Sequence, residues 1–209
     1  MEYTEVVSNV EVYGIESSVR GSKYPMAVEL EKVTGEVVPR TYMLAESKPG
    51  SGHDNFLNGI IVQFDLTFTN KAWVEAERYH FLDFISSQST MHRITKFNLD
   101  EAYIEYVDER VVEIMKEKVK AYNDWMDEIK AKKDQGEDVK EMQEKAKIMY
   151  LEVLYTNPCG FRLTARMTTN YRQLKTMYRQ RKTHRLPEWR AFCAWCETLP
   201  YSEFITKDA

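Results

Sequence analysis

The residues best suited to chemistry lie near the end of the chain, between Asn170 and Trp189. Seven Lys or Arg side chains fall between Arg172 and Arg190, although the whole chain carries a formal charge of −4. Asn170, Leu174, Met177 or Tyr178, and Arg181 recur every three to four residues, so they read as one helix with Asn170 as its N-cap. Arg181, His184 and Arg185 then fall on or just past the last turn. Planar, permanently charged guanidinium groups beside an imidazole suit a phosphate and a polarised ring oxygen. The segment reads as a site for a nucleotide.

Other clusters could contribute. In Gly50-Ser51-Gly52-His53 the small residues let a ligand approach the backbone and put His53 at the mouth of a sheet, though the same composition also makes a plain turn. Arg78-Tyr79-His80 and His92-Arg93 flank Ser87-Gln88-Ser89. Two cationic groups around hydroxyls and an amide can hold a phosphate and read a base edge; alternatively a Ser simply caps the next helix. Lys147 is a lone cation on an apolar helix, which snorkels to water unless a ligand faces it. Cys193-Ala-Trp-Cys196 has a C-x-x-C spacing, but it falls on a helix beside Trp189, Phe192 and Trp195. It reads as core, and no metal site is expected.

The elements that must position these residues follow from periodicity. Residues 2–13 alternate (Val6, Val10 and Val12 against Glu5, Asn9 and Glu11) and read as a strand. The segment from Lys48 to Asn55 reads as a loop. Val62, Phe64, Leu66 and Phe68 alternate with Gln63, Asp65 and Thr67, which predicts a strand with one buried face. A helix is expected from Asn70 to about Phe84, with Trp73, Phe81 and Phe84 on one side. A long helix is expected from about Leu99 to Lys133, broken at Gly136 and resumed to about Leu154 as an antiparallel partner. Asn157–Gly160 is a turn, and Phe161–Thr168 a strand with Phe161, Leu163, Ala165 and Met167 on one face. After the basic helix comes a last one from Pro187 to about Thr198. The class is α+β: an antiparallel sheet flanked by helices, one domain over 1–209 with a helical arm at about 100–150.

Composition removes several classes. With 43% hydrophobic and 30% charged residues the chain is neither disordered nor fibrous. It has no apolar run of 18 residues to span a membrane and no secretory signal, and its three Cys suit a reducing compartment. A cytoplasmic protein is expected. Acids and lysines alternate densely from Asp100 to Glu144, whereas the last forty residues are basic.

These pieces, in this order, resemble the flavin-dependent thymidylate synthases, which methylate dUMP without an enzymic cysteine nucleophile. Gly50-Ser-Gly-His53 with the Ile60–Phe68 strand is similar to that family's "G-x-x-H … F-x-F" entry. Arg78-Tyr-His80 followed by Ser89 is similar to its Arg-His-Arg … Ser signature. Ala146-Lys147-Ile148 through Leu154-Tyr-Thr resembles "A-R-I … L-Y-T". Asn170-x-Arg172-x-Leu174, Arg181, His184 and Trp189 resemble "N-x-R-x-L … L-R … H-x-x-W". The match covers most of the chain outside about 1–45 and 100–140. Tyr79 stands for the signature's middle His, His80 for its second Arg, Ser87-Gln88 for Asn-Glu, and Lys147 for an Arg.

The resemblance implies reductive methylation of dUMP or a related deoxypyrimidine monophosphate, with methylenetetrahydrofolate as carbon donor and NADPH reducing FAD. It implies that His53, Arg78, His80, Asn170, Arg172 and His184 surround FAD. Gln88, Ser89, Arg93, Lys147 and Arg181 would hold dUMP, with Arg181 and Ser89 as the catalytic pair and Arg181 polarising the uracil ring. It further implies a homotetramer whose sites combine several subunits. The alternative is a catalytically inactive relative that binds a nucleotide or a protein partner. A nucleic-acid-binding protein is disfavoured, because only Tyr171 and Tyr178 interleave the basic residues and the pI is near 5.7.

Overall fold

Strict alternation in residues 61–69 makes the central strand. In the computed structural model, which describes residues 1–48 and 50–207, Val62, Phe64, Leu66 and Phe68 of β2 (Ile61–Thr69) are all fully buried. β2 belongs to a four-stranded sheet with β1 (Val7–Tyr13), β3 (Asp83–Ser87) and β4 (Arg162–Asn170), in the order β1-β2-β4-β3. β1 pairs antiparallel with β2, and β3 with β4. β2 and β4 also run antiparallel: Thr67 Oγ1 lies 2.8 Å from Thr164 Oγ1, and Tyr171 N donates to Ile60 O at 3.0 Å, so the paired residue numbers sum to the same value at both ends.

By contact the chain forms two compact units. The first contains Met1–Phe68, Ala72–Ser87 and the chain from Thr164 onward. It holds the sheet, with α1 (Ile15–Ser22), α2 (Pro39–Ala45), most of α3 (Asn70–Ala76), α7 (Tyr171–Arg181), α8 (Pro187–Cys196) and the short α9 (Glu203–Thr206). The aromatic residues of α8 cover the buried face of β2. Phe64 packs 4.6 Å from Trp195 and Phe68 4.9 Å from Trp189, measured between ring centroids. Aromatic pairs at this spacing add about 1 kcal/mol each to the area they bury. α7 is anchored by Tyr171, a fully buried side chain whose hydroxyl donates to Pro200 O at 2.6 Å.

The second unit is Thr69–Lys71 with Gln88–Leu163. It contains α4 (Thr90–Arg93) and the antiparallel pair α5 (Glu109–Asp134) and α6 (Lys140–Thr156). Lys118 reaches Glu152 at 3.1 Å, and Trp125 Nε1 donates to Met142 O at 3.0 Å, which fixes the direction of the pair. Met115, Val119 and Val153 pack with Ile94, Tyr103 and Phe161 beneath them.

The α+β class, the β2 face, β4, α6, α7 and α8 stand as the sequence predicts. Four details differ. The helix after β2 stops at Ala76, and Phe84 lies on strand β3. In the chain between them Phe81 has φ +62° and is exposed. The long helix starts at Glu109, where Asp108 Oδ1 accepts from Arg110 N at 2.9 Å. Leu99 and Tyr103 mimic helical spacing, but turns bury them. β1 carries one extra residue between Ser8 and Glu11, with Asn9 at φ 49°, and this bulge turns Val10 outward. Finally, α1, α2 and α9 are additional helices. α1 begins after Gly14, at φ +79°, where a Cβ would lie 2.4 Å from Gly59 O.

Candidate functional site

The basic segment forms the helix its spacing predicts, and Asn170 is its cap: Asn170 Oδ1 accepts from Gln173 N at 2.9 Å. Leu174 and Met177 are fully buried on the inner face. Lys175 is also buried. Its ammonium donates to Ala45 O at 2.5 Å, to Ser47 O at 3.1 Å and to Asp54 Oδ2 at 3.4 Å. Asp54, 3% exposed, lies on the far side of the Gly50–His53 loop, and its other oxygen is 3.3 Å from Arg172 Nη2. That oxygen makes no hydrogen bond of good geometry, so the Arg172 contact is chiefly electrostatic.

Two cavities share the 50–59 loop as a wall. One, of about 270 Å³, is lined by Gly50, Asp54, Asn170, Arg172, Thr176 and Arg179 among others. Three cations (Arg172, Lys175 and Arg179) stand against one carboxylate around it. An anion is favoured there. At Gly50, φ is +84° and a Cβ would meet nothing within 4 Å, so the loop leaves its backbone open. The second cavity, of about 620 Å³, is lined by His53 and Arg40 with apolar Met26, Leu44 and Phe56. A flat ring can pack on such a surface beside Arg40 and the His53 imidazole.

At the other end of α7, Arg181 Nη1 lies 3.0 Å from Glu75 Oε2, and His184 Nε2 lies 3.2 Å from the same oxygen. Arg181 Nε donates to the Tyr79 hydroxyl at 2.7 Å. The guanidinium carbon stands 4.8 Å from the Trp189 ring centroid and 5.3 Å from that of Tyr79.

Within the first unit, then, Asn170 and Arg172 meet at the cationic cavity, His53 lines the neighbouring one, and Arg181 and His184 meet at Glu75. Arg78 and His80 are exposed in the turn after α3. The remaining residues belong to the second unit. Gln88 precedes Ser89, which occupies the N-cap position of α4 without a side-chain cap, and Arg93 is exposed on that helix. Lys147 is exposed, is held by Glu144 at 2.6 Å, and rims an apolar groove with Tyr122, Tyr150 and Leu151. Asp54, Glu75 and Lys175 were missed in the sequence because nothing in a linear reading distinguishes a structural carboxylate or a buried Lys from solvated ones. The Cys193 thiol is buried and pushed up to about 12 by that burial, and burial raises the Cys196 thiol as well. Both are inert as nucleophiles at neutral pH.

No protein-family model matches the chain, and no curated protein does. Solved structures do. The flavin-dependent thymidylate synthase ThyX of Helicobacter pylori, in complex with FAD and dUMP, superposes with a TM-score of 0.64 over 99% of this chain and 97% of that one, at 14% identity. The chain has the flavin-dependent thymidylate synthase fold. Another structure of Helicobacter pylori thymidylate synthase X with FAD and dUMP agrees over 94% of this chain and 95% of its own, with a TM-score of 0.62 and 14% identity. The flavin-dependent thymidylate synthase fold therefore spans both compact units, the helical pair included. No helix among the described residues is long and apolar enough to cross a membrane.

Proposed function

We propose that this chain binds FAD and a deoxypyrimidine monophosphate and catalyses reductive methylation of dUMP, with NADPH as reductant and methylenetetrahydrofolate as carbon donor. The observation that carries the reading is the end-to-end match to a fold solved with FAD and dUMP. The residues around α7 fit a flavin nucleotide: an excess of positive charge for its phosphates lies beside an apolar cavity able to take its ring. Arg172 and Asn170 would hold the phosphate end, and His53 the ring, with Arg78, His80 and His184 around the same cofactor. Bound flavin would supply hydride transfer.

Gln88, Ser89, Arg93 and Lys147 would hold the nucleotide substrate. Arg181 would stabilise negative charge developing on a pyrimidine oxygen, which a fixed donor does without reorganising during reaction. Ser89, half-buried at the start of α4, would orient the substrate beside it. In this reading the protein is a cytoplasmic homotetramer. The test is to incubate the FAD-loaded protein with NADPH, dUMP and isotopically labelled methylenetetrahydrofolate. The expected product is labelled dTMP. Retained FAD with no labelled nucleotide overturns the activity and leaves a flavin-binding relative.

A further inference from the structure

Glu75 is the least expected group at the C-terminal end of α7. It sits on the last turn of α3, and one of its oxygens, Oε2, serves both Arg181 Nη1 at 3.0 Å and His184 Nε2 at 3.2 Å. The imidazole is fixed from its other side, because His184 Nδ1 accepts from Leu186 N at 3.2 Å. The ring proton therefore belongs on Nε2 and is donated to Glu75. Arg181 is held three ways. Nη1 is bound to Glu75, Nε donates to the Tyr79 hydroxyl at 2.7 Å, and the Tyr79 and Trp189 rings stand within 6 Å of the guanidinium carbon. The Tyr79 hydroxyl is itself oriented, since it donates to Gln180 Oε1 at 2.8 Å. A guanidinium is planar, so fixing Nε and Nη1 fixes the direction of Nη2. Among the described residues Nη2 donates no hydrogen bond.

We infer that Glu75 is a positioning residue that aims the free Nη2 edge of Arg181 at a carbonyl oxygen of the bound ring. This rests on the function proposed above. The geometry supports it: Nε and Nη1 are committed to Tyr79 and Glu75, and the outer Nη2 edge is the one left to face a ligand. What remains at Arg181 is a rigid pair of N–H donors, which suits an oxygen that gains charge only as the reaction proceeds.

The test compares wild type, Glu75→Ala and Glu75→Gln, each loaded with FAD. Glu75→Ala is expected to lower kcat about 10²-fold, with KM for dUMP changing by less than about threefold. Glu75→Gln, whose amide oxygen can still accept from Arg181, should recover to within about tenfold of wild type. Equal losses in the two variants, or a loss confined to KM, would overturn the assignment. A second readout is independent of turnover: nitrogen-15 NMR of the His184 Nε2–H and the Arg181 Nη1–H, the two groups that Glu75 holds. Wild type and Glu75→Gln should show both exchanging slowly with water, and Glu75→Ala should lose that protection. Signals unchanged in Glu75→Ala would refute the inference. If the wild-type protein does not methylate dUMP, the functional reading fails and the NMR comparison still decides the role of Glu75.

Discussion

Helix α7 carries the same inventory at both ends, two basic side chains sharing one carboxylate, yet the two ends are built for different work. At the N-terminal end Asp54 and Lys175 are almost wholly buried and Lys175 spends its donors on backbone carbonyls, so the pair acts as a clamp. Arg172 lines the cavity beside that clamp. At the C-terminal end Glu75, Arg181 and His184 are each 14–23% exposed, and one oxygen of Glu75 holds both other side chains. The first end is a buried clamp beside a cationic cavity, and the second holds a planar donor edge in a fixed direction. Burial of the partner, more than the count of cations, separates them.

The sharpest way to break this contrast is to remove one cation from each end. Arg181→Ala is expected to cost about 10³-fold in kcat while changing FAD affinity by less than about threefold, which steady-state kinetics and flavin titration would read. Equal loss of FAD would put Arg181 in the cofactor site. Lys175→Met leaves Asp54 and two carbonyls without a buried donor, and should lower unfolding free energy by about 3 kcal/mol in urea titration. A change below about 1 kcal/mol would mean that the clamp is not structural. Arg172→Ala should weaken FAD binding about tenfold with little effect on stability, and His53→Ala only a few-fold.

The smallest expected effect concerns the core behind both ends. Burial raises the Cys193 thiol from 9.0 to about 12, so the folded chain keeps a proton that the unfolded chain releases above pH 9. Stability from this group is therefore complete below pH 9 and declines as pH rises toward 12, by about 1 kcal/mol at pH 10. Chemical denaturation at pH 8 and pH 10 should show a shallower decline for Cys193→Ala than for wild type. An identical pH slope would indicate that the thiol is not protected.

The sheet strands with strong alternation and the capped helix α7 were legible because their local pattern and their packing agree. Phe64 and Phe68 are both spaced and buried as a strand face. Phe84 was misread because an aromatic residue after a helical run fits either period, and only its pairing opposite Met167 makes it a strand residue. The bulge at Asn9 is invisible in sequence because it depends on register against β2. The candidate site was legible in its cations and illegible in its carboxylates. Arg172, Arg181 and His184 stand out by type and spacing, whereas Asp54 and Glu75 gain meaning only when the chain brings α3 and the 50–59 loop to α7.

The most direct test of the two-ended account is the absorbance spectrum of purified protein after incubation with FAD and desalting, taken for wild type, Arg172→Ala and Arg181→Ala side by side. The account predicts a retained flavin spectrum in wild type and Arg181→Ala, and a much weaker one in Arg172→Ala. A colourless wild-type protein, or equal flavin in the two variants, would contradict it.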